Sequence, residues 1–168
     1  MKSTDKFLIG IVVGIVLLVV VAFGIAFTRP EPTYQPEDKP EGVVNNYLLA
    51  LQQEEHDRAF SYLSPDLHGY PKTVEAFIED IRDHSYSFRL SDEETVSLDV
   101  ISADVRGATA NVTVQETRFY QGGLFDSGEY KDTFELKLKQ DTSSQEWKII
   151  GGGYSYWAPC WEEWAGCK

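Results

Sequence analysis

The chain has 168 residues, two cysteines and a formal net charge of −12, and its acidic balance is concentrated after the N-terminal segment. Removing residues 1–28 takes away Lys2, Lys6 and Asp5, so 13 basic and 26 acidic residues remain. A domain this acidic repels phosphate backbones and anionic headgroups, which excludes nucleic acid as an expected partner.

An apolar segment runs from residue 7 to residue 27 without a charged side chain. As a helix its 21 residues would span about 30 Å, the thickness of a bilayer's hydrocarbon core. We therefore expect a transmembrane helix over 7–27 that follows a short N-terminus at 1–6. The alternative is a cleaved secretory signal with small-x-small sites around Gly24, although the apolar segment is longer than a usual signal core.

The flanks of this segment predict its orientation. Lys2 and Lys6 precede it, whereas Arg29 follows it and is itself followed by acidic residues. Lysine and arginine close to a membrane span hold that side in the cytoplasm. We therefore expect a single-pass cell-membrane protein with a cytoplasmic N-terminus and its C-terminal domain outside.

Residues 28–42 contain four prolines, each of which fixes its own φ and disfavours helix in the preceding residue. Such a sequence favours an extended, semi-stiff linker with a reach of about 40 Å. The remaining residues are enough for one domain with its own core, expected over 43–158, before a C-terminal segment at 159–168.

Apolar residues recur at helical spacing after the linker and predict an amphipathic helix over 41–55. The polar positions of this helix, which we expect to be exposed, are Asn45, Asn46, Gln52 and Gln53. A second helix is expected over 56–63, before Ser64-Pro65. Thr73 is a typical N-cap for a third helix that closes near Asp83.

From residue 95 the apolar period changes to two, which predicts β-strands. The alternation slips near Ile101, as a β-bulge would produce. Further strands are expected over 108–120, 130–139 and 146–150, each separated from the next by a turn. Strands this close in sequence pair as an antiparallel meander with the helices on one face, so the predicted fold class is α+β.

Two stretches resemble the nuclear transport factor 2-like superfamily, which includes ketosteroid isomerase-like and SnoaL-like proteins. They are residues 47–66, with the sequence YLLALQQEEHDRAFSYLSPD, and Trp147-Lys148-Ile149 on a late strand. The resemblance covers about residues 41–158 and implies a curved, cone-like sheet wrapped around helices, with a pocket at its open end. Some members are isomerases or dehydratases that use an inward Asp, Tyr or His, whereas many have no known catalysis, so this fold alone does not decide function.

Four side chains are expected to meet near that open end. Glu116, Arg118 and Tyr120 continue the apolar face of the strand at 108–120, and Asp132 continues the inward face of the next strand. A carboxylate in an apolar pocket can act as a general base, which would make this group a ligand pocket. The simpler alternative is a structural ion pair of Arg118 with Glu116 or Asp132.

The C-terminal segment holds both cysteines, Cys160 and Cys167, and the tryptophans Trp161 and Trp164. Cysteines in an extracytoplasmic domain usually pair. One continuous helix would place these two about 10 Å apart, farther than the Cα separation of about 7 Å that a disulfide allows. We therefore expect a tight, disulfide-closed loop, whose tryptophans either contact a partner or fold back over the cone.

Histidine and cysteine spacings match no metal-ligand pair, and no phosphate or dinucleotide motif occurs, so neither metal nor cofactor is expected. Two functions stay open. The first is a membrane-tethered, extracytoplasmic, non-enzymatic binding or interaction domain for a protein partner or a small apolar ligand. The second is a small isomerase- or dehydratase-type enzyme with an inward Asp/Tyr pocket.

Overall fold

The computed structural model describes residues 3–27, 32–67, 69–83, 88, 95–121 and 127–152. The helices among them are α1 (Ser3–Phe27), α2 (Pro40–Gln52), α3 (His56–Ser61) and α4 (Val74–Asp83). The strands are β1 (Thr95–Arg106), β2 (Thr109–Gln121), β3 (Ser127–Gln140) and β4 (Trp147–Gly152). The chain divides into two units, Met1–Thr33 and Tyr34–Lys168.

The first unit contains α1, which has 25 residues. Its 18-residue stretch Phe7–Gly24 is long and apolar enough to cross a membrane, and none of that stretch is buried against protein. Moving such side chains out of water is favourable by about 0.8 kcal/mol for each buried methylene. The helix predicted over 7–27 is therefore present, with the length and composition of a membrane span.

The first helix of the second unit is α2, which begins at Pro40. Proline is favourable at the start of a helix because the N–H that it lacks would have no partner there. The helix ends at Gln52, and Glu54 then adopts a left-handed backbone with φ of 57°. The predicted helix at 41–55 is thus present but shorter. The expectation that Asn46 is exposed was wrong, because this side chain is fully buried.

The helices α3 and α4 follow the predicted positions closely. Thr73 caps α4, because its Oγ1 accepts a hydrogen bond from the backbone N–H of Ala76 at 3.2 Å. After α3 the chain runs beside β4: the N–H of Ser64 donates to the carbonyl of Ile149, and the N–H of Ile149 donates to the carbonyl of Tyr62, each at 2.9 Å. The segment around Leu63 therefore covers the outer edge of β4.

The four strands form one antiparallel sheet in the order β1-β2-β3-β4. The register between β1 and β2 shifts between Val100 and Ser102, so Ile101 has no partner in β2. This is the bulge that the sequence predicts near Ile101. The α+β class is confirmed, since helices pack on one face of a sequential antiparallel sheet.

The hydrophobic core lies between the helices and the inner face of the sheet. The helix α2 contacts β1, β2 and β4, and α3 contacts both α2 and α4. Core side chains without any exposed surface include Tyr47, Phe77, Val112, Leu136 and Ile149. Each contributes about 1.5–3 kcal/mol through burial, which makes this layer the main source of stability.

Candidate functional site

The inner face of the sheet changes from apolar to charged towards one end. Neighbours across β1, β2 and β3 form successive rows: Val105, Ala110 and Leu138; Ala103, Val112 and Leu136; Val100, Val114 and Phe134; Leu98, Glu116 and Asp132; Val96, Arg118 and Tyr130. The two carboxylates therefore stand directly opposite each other on neighbouring strands. The sheet brings together three of the predicted site residues, Glu116, Arg118 and Asp132.

Glu116 is engaged by Arg118 two positions along the same strand face. The guanidinium Nε donates to the carboxylate Oε1 at 2.5 Å. The side chain of Glu116 is only 1% exposed and that of Arg118 is 26% exposed. Removing a carboxylate from water is costly unless a cation compensates it, so the guanidinium is what allows this carboxylate to be buried. This is the structural ion pair that the sequence analysis held as the simpler alternative.

Asp132 lies on the predicted face but not in an enclosed pocket. Its side chain is exposed, and its Oδ1 accepts the backbone N–H of Thr133 at 2.8 Å. Tyr130, which stands opposite Arg118, is 59% exposed. The charged end of the inner face is therefore open to solvent on its β3 side.

The remaining predicted site residues fall partly or wholly outside the described part of the chain. The backbone of Tyr120 pairs with that of Gly128, and the side chain of Tyr120 lies outside the described part of the chain. The cysteines and tryptophans at Cys160, Trp161, Trp164 and Cys167 lie outside the described residues. The expected disulfide and the expected partner contact stay predictions.

A second polar group, which the sequence analysis missed, holds the end of the proline-rich linker on the domain. We call it the linker cluster; it consists of Tyr34, Glu37, Glu55, Arg58 and Tyr62. The guanidinium of Arg58 lies 3.2 Å from the centre of the Tyr34 ring, a cation–π contact. The Arg58 Nε also donates to the hydroxyl of Tyr62 at 3.2 Å.

Hydrogen bonds to carboxylates complete the linker cluster. The Tyr34 hydroxyl donates to Glu55 Oε2, and the Tyr62 hydroxyl donates to Glu37 Oε1, both at 2.7 Å. Burial, followed by the hydrogen bond and the charge of Glu55, raises the pKa of Tyr34 to about 12. Burial also raises the pKa of Tyr62. Both phenols are therefore neutral donors at physiological pH.

The same segment also packs tightly against α2. A side chain at Gly42 would place its Cβ 1.9 Å from the carbonyl oxygen of Pro36, so only glycine allows the linker to approach this closely. The semi-stiff linker predicted over 28–42 therefore differs from the structure in its second half, where residues from Tyr34 onward belong to the domain. Two signals were present in the sequence: one aromatic residue in an otherwise polar linker, and a glycine in the first turn of a helix.

The described residues contain no group of three or more His, Cys, Asp or Glu side chains arranged to hold a metal ion. The charged end of the sheet offers one buried carboxylate that is already paired and one exposed carboxylate. This arrangement can bind a cationic or hydrogen-bonding group at the surface. A carboxylate is favoured as a general base where apolar, water-excluding surroundings raise its pKa towards the working pH.

Comparison with solved structures identifies the fold. The structure of a candidate ketosteroid isomerase from Shewanella frigidimarina matches with a TM-score of 0.50 and 16% identity, covering 68% of this chain and 94% of that chain. A nuclear transport factor 2-like protein with a cystatin-like fold from Novosphingobium aromaticivorans matches with a TM-score of 0.46 and 13% identity, over 67% and 75% of the two chains. No protein-family model matches the sequence, and no curated protein is significantly similar to it.

The chain thus shares the fold of the candidate ketosteroid isomerase from Shewanella frigidimarina, a fold that the resemblance in residues 47–66 implied. At this level of identity the likeness concerns the fold alone. Because this fold supports many unrelated functions, the role of the chain has to be argued from its own residues.

Proposed function

We propose that this protein is a membrane-tethered, extracytoplasmic binding domain without catalytic activity. The tether is α1, whose Phe7–Gly24 stretch has the length and composition of a membrane span. The basic residues Lys2 and Lys6 before it favour a cytoplasmic N-terminus, with the domain on the other side. The acidic surface of the domain is consistent with a position held off anionic headgroups.

The observation that carries the non-catalytic part of this proposal is the ion pair between Glu116 and Arg118. The buried carboxylate at the charged end of the inner face is held by a guanidinium at 2.5 Å, so its oxygen is not free to accept a proton from a substrate. Asp132, the other carboxylate, is exposed and therefore lacks the apolar surroundings that favour a catalytic base.

The second candidate function is a small isomerase- or dehydratase-type enzyme. It is supported by the direct opposition of Glu116 and Asp132 at the end of three apolar rows, next to the half-buried Leu98. It is also supported by the fold shared with the candidate ketosteroid isomerase from Shewanella frigidimarina. In such an enzyme, Asp132 would abstract a proton while Arg118 and Tyr120 oriented the substrate.

The ligand of the binding domain is proposed to be a protein partner or a small apolar molecule. Trp161 and Trp164 are the proposed contact residues, in the C-terminal loop that a bridge between Cys160 and Cys167 would close. Tryptophan is over-represented among residues that dominate the energy of protein interfaces, which supports this assignment.

The experiment that separates the two functions is a turnover screen of small apolar ketones and alcohols. It uses the full-length protein in phospholipid nanodiscs, with Asp132→Asn and Glu116→Gln as test variants. Glu135→Gln is the matched control, because Glu135 is an exposed carboxylate at an outward position of β3. The binding proposal predicts no turnover above buffer for any of the four proteins. Turnover that persists in Glu135→Gln and disappears in Asp132→Asn would establish the enzyme instead.

A further inference from the structure

A groove of about 350 Å³ runs beside the first strand, between β1 and the start of α2. One wall is formed by the six consecutive residues 98–103 of β1. The other wall is formed by Gln35 of the linker and by Glu41 and Asn45 of α2. The side chains of successive strand residues point to opposite faces of a sheet. The six residues therefore line the groove together through the backbone edge of β1 and not through one face of the sheet.

This edge is unpaired in the part of the chain that the structure describes. β1 is the terminal strand of the sheet, and no backbone hydrogen bond joins its outer edge to another described segment. The opposite edge of the sheet, on β4, is covered by the segment around Leu63. A free strand edge presents a row of N–H and C=O groups that can pair with an added strand.

The bulge lies in the middle of the groove wall. Ile101, the residue without a partner in β2, is 51% exposed there, between the half-buried Val100 and the exposed Ser102. An apolar side chain at this place provides a contact for a side chain of a strand that pairs with β1.

The groove also carries negative charge. The Oε2 atom of Glu41 is buried, and among the described residues it has no hydrogen-bond partner. Asp99 lies on the facing wall, where its carboxylate accepts a hydrogen bond from the hydroxyl of Ser97 at 3.0 Å. None of the nine described residues that line the groove is basic. The position of Glu41 in the first turn of α2 suits the helix dipole, but the dipole supplies no donor to Oε2. A buried carboxylate oxygen without a donor is costly, so the groove is complementary to a cationic N–H donor.

We propose that this groove binds an extended basic segment of a partner protein, which adds as a strand to the edge of β1 and places a lysine or arginine against Glu41. The backbone of the segment pairs with residues 98–103, and its cationic side chain donates to the free Oε2. A segment of this kind also suits the net charge of −12 of the chain, which attracts basic partners. The inference deepens the proposed binding role by naming the chemistry of a partner and the surface that receives it.

The test is hydrogen exchange, followed by mass spectrometry, on the full-length protein in phosphatidylcholine nanodiscs. The probe is an end-capped peptide of ten residues that alternates lysine and threonine. We expect it to slow exchange of the amides in residues 98–103. The same peptide N-methylated at every internal residue, which cannot donate backbone hydrogen bonds from either edge, should give no protection.

The charge requirement is tested with Glu41→Gln and a matched control, Glu75→Gln, because Glu75 is the acidic residue in the first turn of α4. Loss of one charge-assisted hydrogen bond should weaken peptide binding by about tenfold in Glu41→Gln and leave it unchanged in Glu75→Gln. Unaltered exchange in β2 and β3 checks that each variant is folded, and the N-methylated peptide tests the proposal even if Glu41→Gln does not fold.

Four outcomes would overturn the proposal: no protection of residues 98–103, equal protection by the N-methylated peptide, unchanged affinity in Glu41→Gln, and protection that appears without peptide as protein concentration rises. The last outcome would assign the edge to a second copy of the chain. Since the readout is confined to the groove, a failure here leaves the turnover test of the binding role unaffected.

Discussion

The side chain of Asn46 forms two hydrogen bonds with the backbone of Gln35, eleven residues earlier in the chain. Its Oδ1 accepts the Gln35 N–H at 2.7 Å, and its Nδ2 donates to the Gln35 carbonyl at 2.8 Å. A further bond from the same Nδ2 reaches Glu37 Oε1 at 3.2 Å. The buried amide of Asn46 thus satisfies one backbone N–H and one backbone C=O of the proline-rich segment, as a neighbouring strand would do.

Replacing Asn46 by Ala should destabilise the domain by about 1–3 kcal/mol, because it removes the two hydrogen bonds that a fully buried side chain makes to the backbone of Gln35. Urea unfolding monitored by tryptophan fluorescence measures this. Asn45→Ala is the matched control and should cost less than about 0.5 kcal/mol, since Asn45 is half-buried and makes only a 3.4 Å bond to Asn46. Equal effects of the two variants would contradict the role assigned to Asn46.

The linker cluster should make stability depend on alkaline pH. The pKa of Tyr34 is raised from 10.0 to about 12 in the folded protein, mainly by burial and then by the hydrogen bond to Glu55. A raised pKa favours the neutral phenol, so its stabilising contribution is complete below pH 10 and is lost as pH rises through 12. Tyr34→Phe keeps the ring over which Arg58 lies but cannot ionise. We expect wild type to lose more stability than Tyr34→Phe between these two pH values, as measured by urea unfolding. Parallel curves for the two proteins would disprove this prediction.

The pair of Glu116 and Arg118 should behave as a structural unit. Arg118→Met removes the guanidinium that the buried carboxylate of Glu116 contacts and should cost about 3 kcal/mol, and Glu116→Gln should cost about 2 kcal/mol. The double variant should cost clearly less than the sum of the two, with a coupling above about 1 kcal/mol in a double-mutant cycle.

The matched control for this cycle is the pair of Asp104 and Arg106, which has the same two-residue spacing on β1 but is exposed on both sides. Its coupling should stay below about 1 kcal/mol. Additive effects at Glu116 and Arg118 would show that their contact adds nothing to stability.

Local patterns were sufficient to predict most of the domain. The cap at Thr73, the bulge near Ile101 and the turns between strands all depend on residues close to one another in sequence. The closeness of Glu116 and Asp132 was also predictable, because apolar and polar residues alternate in the two strands and a short connection joins them. Short-range periodicity therefore predicted both the sheet and its charged end.

Contacts between distant segments could not be predicted in the same way. Asn46 occupies a position of α2 that the helical spacing of apolar residues predicts to be exposed. Its side chain is buried because the linker folds back over α2. The linker cluster joins residues up to 28 positions apart, from Tyr34 to Tyr62 through Arg58, and no periodicity encodes such contacts. That no described segment pairs with the outer edge of β1 likewise depends on the order of the whole sheet.

The C-terminal cysteines, Cys160 and Cys167, should form a disulfide if the domain is outside the cytoplasm. Mass spectrometry of the non-reduced protein after alkylation should find no free thiol. In the chain-entropy model, closing a loop of about eight residues adds about 2–3 kcal/mol, so reduction should lower the free energy of unfolding by up to that amount. Two alkylated cysteines in freshly purified, oxidised protein would contradict this expectation.

Membrane topology tests the central claim of a tethered, extracytoplasmic domain most directly. Protease added to intact cells should cut after α1, near Arg29, and release the domain, while an N-terminal tag stays protected. The full-length chain should remain in the membrane fraction after a carbonate wash, because Phe7–Gly24 has the length and composition of a membrane span. A domain that resists external protease until the cells are lysed, or a mature chain that begins near residue 25 or 27, would contradict the claim.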